Sequence, residues 1–333
     1  MFQGKQSWMF NSKPVIISSA TAVGPFEGKG PLSNDFDIIN EDIWLGQDSF
    51  EKAEKVLLEQ ACSKAIEKSN LKKEDISFFL SGDLMNQIIT SSFAARTLSI
   101  PYLGVFGACS SAMEGLAVAA QLVDSSNANY VLAGAASHNA SVEKQFRYPT
   151  EYGGQKPPTA QWTVTGAGAA LIAKTGNGPK VTGATIGKVV DMGLTDPFNM
   201  GSAMAPAAVD TIEAHFRDFK RDINYYDLVI TGDLGAVGHR IAGDLLIDHE
   251  IKIPEEKFAD CGLLIYSEEQ PIIAGASGCG CCATVTYGHL LKKISNREFN
   301  KILVIATGAL LSPLSYQQKE SIPCIAHAVA IEN

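Results

Sequence analysis

Four segments of the first half of the chain recur in the same order in the second half, and this internal repeat limits the folds open to the chain. The closest pair is ISFFLSGDL, which ends at Leu84, and YDLVITGDL, which ends at Leu234. Each is a continuous apolar run, typical of a strand buried on both faces. Each follows an amphipathic stretch that predicts a helix, at residues 50–70 and 208–222.

The other three pairs support the same unit. Pro14 and Pro179 each open a β-rich run, and YVLAGAAS and ILVIATGA are strands entered from polar turns. The segments around GACSSAMEG and GASGCGCCA both read as strand, small-residue turn and helix, with the first helix expected from about Ser110 to Val123. Strands that alternate with helices predict an α/β fold. Two such halves predict two sheets packed around shared helices.

Length and charge exclude several classes of protein. The 333 residues allow two domains, which we place at 1–177 and 178–333, with Cys109 in the first. The chain is 46% hydrophobic and 19% charged, which suits a large shared core. Its net charge is −9 and it has no run of Lys or Arg, so we expect no nucleic-acid partner.

The cysteines and the N-terminus bear on the compartment. Seven cysteines in a long chain argue against a disulfide scaffold and for reducing surroundings. The first residues lack the apolar core of a signal peptide, and no segment offers about 18 uninterrupted apolar residues. We therefore expect a soluble chain without signal peptide or transmembrane helix.

Cys109 lies at a predicted strand-to-helix turn. A thiol there is close to the positive end of the helix dipole and to free backbone N–H groups, and both lower its pKa. The same N–H groups could hold a ligand carboxylate. The alternative is a small buried residue in a tight turn, since free cysteines are often buried.

The duplicated unit with a cysteine at this turn resembles the thiolase superfamily, which includes the ketoacyl synthases. VFGACSSAMEGLAVAA is similar to their nucleophile segment, TGAGAALIA to the Gly-rich strand that closes the first half, and CIAHAVAIE to the last strand. The resemblance implies an α/β, thiolase-like fold, with two pseudo-symmetric mixed-sheet halves layered α-β-α-β-α.

Within this superfamily, SGDLMNQIITSSFAAR, GVFGACSSAMEGLA and AGASGCGCCA make the chain most similar to the stage V sporulation protein AD family. The resemblance implies binding of dipicolinic acid, or its calcium salt, during uptake into the developing spore. It implies partnership with the other proteins of the stage V sporulation A operon, peripherally at the inner spore membrane. It also implies a homodimer, with no cofactor and with calcium only as part of the ligand.

Condensing enzymes of this superfamily pair the cysteine with a His after the second strand of the second half and with a His or Asn near the next turn. Here these positions fall near Asp233 and Ser277, and neither residue type is present. The departure implies a binding protein without catalysis, because such bases activate the thiol. An acyltransferase that uses Cys109 with His239 as a displaced base is the alternative, and a scaffold with a vestigial pocket is a third possibility.

We expect the ligand-binding side chains to be Cys109, His138, Arg147, Asp233, His239 and Ser277. His138 follows a strand and could donate to an anion, although an ordinary hydrogen bond in a loop is an equal alternative. Arg147 lies in a long Pro/Gly-rich loop with Lys156, and its guanidinium could bind a carboxylate through two hydrogen bonds. The loop could also cover the pocket or contact a second subunit, and exposure to solvent is the structural alternative.

Two further groups of residues have structural alternatives that we favour. Asp83 and Asp233 are mates in the repeat, and carboxylates can bind calcium, yet an Asx turn or helix N-cap is the commoner role of Asp at such positions. Asp233 has the better claim to a ligand. Cys279, Cys281 and Cys282 lack a second pair at usable spacing, so we expect no metal site and small side chains packed against the opposite half.

Overall fold

The computed structural model describes residues 1–146 and 156–333. The first half contains the strands β1 (Phe2–Gln3), β2 (Ser7–Met9), β3 (Val15–Val23), β4 (Ile38–Ile39), β5 (Phe78–Gly82), β6 (Tyr102–Gly104), β7 (Tyr130–Ser137), β8 (Trp162–Thr163) and β9 (Gly166–Ala173). Its helices are α1 (Phe50–Ser69), α2 (Ile89–Leu98), α3 (Ser111–Asp124) and α4 (Asn139–Phe146).

The second half repeats the main strands and helices of the first in the same order. Its strands are β10 (Lys180–Ile186), β11 (Leu228–Thr231), β12 (Phe258–Asp260), β13 (Ala276–Ser277), β14 (Lys301–Ala309) and β15 (Cys324–Glu332). Its helices are α5 (Met200–Phe219), α6 (Gly235–Asp248), α7 (Cys261–Leu264), α8 (Cys279–Thr284), α9 (Leu291–Ser295) and α10 (Pro313–Gln317). A π-helical segment, Val285–Leu290, joins α8 to α9.

The strands form two matching runs, β3-β9-β7-β5-β6 and β10-β15-β14-β11-β12. Within each run the first two pairings are antiparallel and the last two are parallel, as the mixed sheets of the prediction require. A single pairing between Val15 and Lys180 joins the runs. The two-domain division at residues 177 and 178 falls just before β10, and it stays a prediction.

Helices lie on both outer faces and between the runs. Helix α1 packs on β3, β7 and β9, while α5 packs on β10, β14 and β15. Helix α3 contacts strands of both runs and α8 contacts β7 and β9, so these two helices fill the middle layer. The predicted α-β-α-β-α, thiolase-like architecture is confirmed.

Helices α1 and α5 are mates in the repeat, and the sequence predicts the first better than the second. Helix α1 begins after Ser49, whose side chain accepts the Lys52 N–H, and ends at Asn70 in the left-handed region, close to the predicted bounds. Helix α5 begins at Met200, eight residues before the predicted start, and contains Pro206. The apolar periodicity of 208–222 locates only its second half.

One predicted strand is absent. Residues 271–275 precede the second small-residue turn, where the sequence predicts a strand, and they form none; Ile273 and Ala274 lie in a bend. The true mate of β6 is β12, which pairs in parallel with β11. The chain then turns into α7, because the Asp260 carboxylate accepts the Gly262 N–H and caps that helix. This insertion separates the strand from the turn in the second half.

The N-terminus crosses to the other half. β1 and β2 form a hairpin, and β2 pairs antiparallel with β10. The first residues of the chain therefore extend the sheet of the second half. Among the helices of residues 1–146 and 156–333, none combines the length and apolar character needed to cross a membrane.

Candidate functional site

Cys109 lies in a tightly closed turn between β6 and α3. The Ser110 hydroxyl donates to Gly107 O at 2.6 Å, and the Ser111 hydroxyl donates to Ala108 O at 2.7 Å. Ala108 has a φ of 50°, in the left-handed region that β-carbon contacts disfavour. Gly308 allows the turn to approach β14, because a β-carbon there would stand 2.1 Å from Gly107 O.

Asp233 reaches the same place from the second half. It follows β11, and its carboxylate accepts the Gly278 N–H at 2.9 Å and the Thr307 hydroxyl at 2.6 Å. The Cys109 thiol lies near this carboxylate, which raises the pKa of the thiol. Gly278 has a φ of 104°, and glycine adopts this conformation readily. The two halves thus meet at a thiol and a carboxyl group.

A narrow pocket with a cavity volume of about 50 Å³ lies beside these two groups. It is lined by Leu84, Phe106, Ala108, Cys109, Val142, Phe146, Thr163, Met200, Met204, Asp233, Ser277, Ala309 and Leu311. Most of these side chains are apolar, and two hydroxyl groups interrupt them. Among the described residues, no Lys, Arg or His lines the pocket.

The expectation that the helix start lowers the pKa of Cys109 is wrong. Burial and the nearby Asp233 carboxylate raise the pKa of this thiol well above its ordinary value. The N–H groups of Ser110 and Ser111 donate to Gly107 O and Ala108 O inside the turn. They are therefore engaged and do not stabilise a thiolate. Cys109 is a neutral thiol at physiological pH.

Asp233 is itself perturbed. Burial raises its pKa to about 7, and the hydrogen bonds from Thr307, Gly278 and Cys109 oppose this shift only in part. The turn that carries Asp233 is held by Asp260, which accepts the Leu234 N–H at 2.8 Å and the Gly235 N–H at 3.0 Å. The Gln161 side chain also donates to Asp233 O at 2.7 Å.

The structure brings Cys109, Asp233 and Ser277 to one pocket and leaves two predicted histidines elsewhere. His138 is buried, with one ring nitrogen 2.9 Å from Ile43 O and the other accepting the Ala140 N–H. His239 stacks on Phe258 with ring centroids 4.3 Å apart and lines a separate depression on α6. Their hydrogen bonds and packing give neither a part in this pocket.

Arg147 lies outside the described residues, so its predicted contact with the ligand stays a prediction. Lys156, from the same Pro/Gly-rich stretch of the sequence, forms an ion pair with Glu143 at 3.0 Å, and its ammonium group lies over the Trp162 ring.

The two repeat-mate aspartates have different roles. Asp83 accepts the Met85 N–H at 2.8 Å, which is the Asx turn that we favoured for it. Asp233 instead makes its contacts across to Gly278 and Thr307. The cysteine cluster also matches the structural alternative, since the Cys279 thiol donates to Ala108 O of the opposite half at 3.1 Å. Within residues 1–146 and 156–333, no three His, Cys, Asp or Glu side chains form a group that could hold a metal ion.

Several residues in and around the pocket were not predicted from the sequence. Met200 and Met204 are four residues apart on α5, and this helical spacing could have indicated a shared face. Phe106 precedes the Cys109 turn and remains 51% exposed. Thr307 lies near the end of β14, a strand identified by the repeat, yet nothing in the sequence indicates that its hydroxyl meets Asp233.

This arrangement raises the pKa of the cysteine at the nucleophile position. The thiolate of Cys109 is disfavoured by burial and by the Asp233 carboxylate, and among the described residues no basic side chain lines the pocket to stabilise it. Removing the oxyanion and base partners of such a site costs orders of magnitude in rate. The apolar walls with a few polar groups at one end suit the binding of a small, largely apolar molecule.

Solved structures with the same fold include an acyl-carrier-protein synthase and OleA. The 3-oxoacyl-[acyl-carrier-protein] synthase III of Aquifex aeolicus aligns over 96% of this chain and 100% of its own, with a TM-score of 0.55 and 16% identity. An OleA variant of Xanthomonas campestris aligns over 97% of this chain and 99% of its own, with a TM-score of 0.61 and 14% identity. At this identity the likeness establishes the thiolase-like fold alone.

The sequence comparisons go further. The family model for stage V sporulation protein AD matches residues 4–332. The stage V sporulation protein AD of Bacillus subtilis (strain 168) is 52% identical over 329 residues, which cover 99% of this chain and 97% of that protein. Both matches span the two halves and the pocket between them. The chain belongs to the stage V sporulation protein AD family, the sporulation proteins that its sequence resembles.

Proposed function

We propose that this protein binds dipicolinic acid, or its calcium salt, in the Cys109 pocket and supports uptake of that compound into the developing spore. The observation that carries the proposal is the contact between Cys109 and Asp233, because it keeps the thiol neutral in a pocket that retains its apolar walls. The site thereby favours holding a ligand over transferring an acyl group.

The lining of the pocket suits the chemistry of this ligand. Dipicolinate is a planar aromatic ring with two carboxylate groups, and the ring suits the apolar side chains of Phe106, Val142 and Met204. The Thr163 and Ser277 side chains lie in the same lining and offer hydroxyl groups to a carboxylate. In the calcium salt the charges cancel, which lowers the cost of entering an apolar pocket.

Titration calorimetry of the full chain with dipicolinate, with and without calcium, tests the proposal. We expect saturable binding at one site per chain. Ala309→Phe places a large side chain in the pocket and should abolish binding, while Ile247→Phe, on the exposed face of α6, should leave it unchanged. Wild-type protein that shows no saturable binding in either condition would overturn the proposal.

Acyl transfer is the competing function, and the fold of the solved condensing enzymes favours testing it. Mass spectrometry after incubation with an acyl-CoA should show no adduct on Cys109. Cys109 is the free cysteine that is not fully buried, and all seven cysteines are in described segments, so an adduct elsewhere is not expected. A stable acyl group on Cys109 would replace the binding proposal with an enzyme.

We also propose a homodimer formed through β6. This strand is at one end of the strand order, so its outer edge carries unpaired backbone groups. Leu103 is 43% exposed on it, and Phe93 and Phe106 beside it are 42% and 51% exposed. Light scattering should give the mass of two chains for the wild type and of one chain for Leu103→Asp. A monomeric wild type contradicts this interface.

Partnership with the other stage V sporulation A-operon proteins, peripherally at the inner spore membrane, is proposed from family membership. The support on the molecule is the exposure of large apolar side chains at Val189, Met192 and Leu314. Backbone hydrogen bonds between Val190 and Cys324 hold the segment that carries Val189 and Met192 against β15. Co-purification of tagged chain from spore membranes, lost in Met192→Asp, would support it, and a wild type found only in the soluble fraction would contradict it.

A further inference from the structure

The charge around Asp233 is unusual for a site that takes an anion. The titratable groups that face Asp233 come from three elements and the turn before α3, and they are Cys109, Asp260, Cys279, Cys281 and Cys324. All are thiols or carboxyl groups. In the described part of the chain, no basic side chain faces Asp233 or lines its pocket.

An anion that entered beside an ionised Asp233 would leave two like charges in an apolar cavity. Such an arrangement is strongly disfavoured, since a buried charge needs a partner or must be neutralised. The donors already on Asp233, the Gly278 N–H and the Thr307 hydroxyl, are neutral and stay with it. Within the described residues no side chain supplies the missing positive charge, and a proton from solvent can supply it.

We infer that the pocket takes up one proton with each calcium-free carboxylate ligand and that Asp233 is the group that accepts it. The inference rests on the binding function proposed above. The proton comes from solvent and bonds to a carboxylate oxygen of Asp233, so no bond in the ligand forms or breaks. Once protonated, Asp233 offers an O–H donor where it had only acceptors.

The burial of Asp233 keeps the free-energy cost of this proton uptake small. Asp233 is 1% exposed, and burial already raises its pKa to about 7 in the empty pocket. Near neutral pH the group is divided between its two forms, so an arriving anion needs to shift an existing equilibrium only slightly. Above pH 7 the proton must be supplied, and binding should weaken by about tenfold per pH unit.

Calorimetry in two buffers that differ in ionisation heat measures the proton directly, with calcium-free dipicolinate as the probe. We expect uptake of about 0.9 proton per ligand at pH 8 and about 0.1 at pH 6, with a dissociation constant about tenfold larger at pH 8. Asp233→Asn should bind with no uptake and no pH dependence. Glu27→Gln is the matched control, because Glu27 is a buried carboxyl with a pKa raised to about 7 that does not line the pocket.

The outcomes separate the two proposals. Absence of any saturable heat from pH 6 to pH 8 overturns the binding function itself. Binding at pH 8 without proton uptake overturns the inference and leaves the function standing. Uptake that persists in Asp233→Asn assigns the proton to another group and also overturns it. If that variant does not fold, the binding heats of wild type and Glu27→Gln in the two buffers at pH 8 still show whether a proton is taken up.

Discussion

The Asp233 carboxyl group lies against the Cys109 thiol across the junction between the two halves of the chain. Position alone makes Cys109 resemble a nucleophile, since it precedes the middle-layer helix α3. Its partner reverses that expectation, because a carboxylate destabilises the thiolate that attack requires.

Cys109 should therefore react slowly with alkylating reagents, and Asp233→Asn should accelerate it. Removing the negative charge lowers the pKa of the thiol, which increases the thiolate fraction at a given pH. The iodoacetamide rate at pH 8 should rise about tenfold for each unit by which the pKa falls. Peptide mass spectrometry follows Cys109 specifically, since the other six cysteines are buried.

Asp83→Asn is the control for this measurement. Asp83 is the repeat mate of Asp233 and bonds to Met85 and Ser91 of its own segment. The rate at Cys109 should not change in this variant. Equal rates for Asp233→Asn and wild type would show that burial alone sets the thiol pKa.

Much of the fold follows from the repeat, because buried strands and their helices leave strong apolar patterns. β5, β7, β11 and β14 are all visible in that way. β12 is not, since a strand of three residues that ends in Asp260 has no periodicity to detect. The pairing of β2 with β10 also has no local signal, because it joins segments more than 170 residues apart.

The site could be predicted only as far as strand ends. The repeat places Cys109 and Asp233 at matching ends of strands, and both line the pocket. The direction of a side chain depends on distant partners, and these are not visible in sequence. His138 bonds to Ile43, 95 residues away, and so does not reach the pocket.

Glu27 should make the protein less stable at alkaline pH. Burial raises its pKa to about 7, so the folded state binds a proton that the unfolded state releases near pH 4.5. The stability it contributes is full below about pH 4.5 and is lost as pH rises through 7, by about 3 kcal/mol at most. Glu27→Gln keeps an acceptor for Tyr266 and Thr165 and cannot ionise.

Urea unfolding at pH 5 and pH 8 compares the two proteins. The free energy of unfolding should fall more for wild type than for Glu27→Gln, and the difference isolates Glu27 from other buried acids. Parallel pH profiles would mean that water enters and solvates this carboxyl group.

A chain of hydrogen bonds holds the N-terminal hairpin in place, and the donors in this chain can point in only one direction. Donation runs from Arg221 through Tyr226, His215, Thr185 and Ser7 to Asp218. Asp218 can only accept, so each hydroxyl has one proton and must receive from the group before it. His215 is therefore neutral with its proton on Nδ1, and burial lowers its pKa to about 3.

Ser7→Ala should break this chain. It removes the acceptor of the Thr185 hydroxyl and one of the donors to Asp218, at a cost of about 1–3 kcal/mol. Limited proteolysis should then cut the hairpin earlier than in wild type, while Ser92→Ala, which removes an exposed hydroxyl, should not. Nitrogen NMR of His215 should show the Nδ1–H form down to about pH 4, and an Nε2–H signal would contradict the direction of the chain.

Two glycine substitutions should have opposite effects. In Gly308→Ala the new β-carbon would lie 2.1 Å from Gly107 O, so the Cys109 turn must move away from β14. We expect the free energy of unfolding to fall by several kcal/mol and ligand binding to weaken, because overpacking at a backbone contact cannot be relieved by a rotamer.

In Gly243→Ala on α6 the new β-carbon meets nothing within 4 Å and should stabilise the helix by about 1 kcal/mol. Thermal melts and calorimetry of both variants test this, and equal stability of Gly308→Ala and wild type would show that the two halves do not rely on close approach at the Cys109 turn.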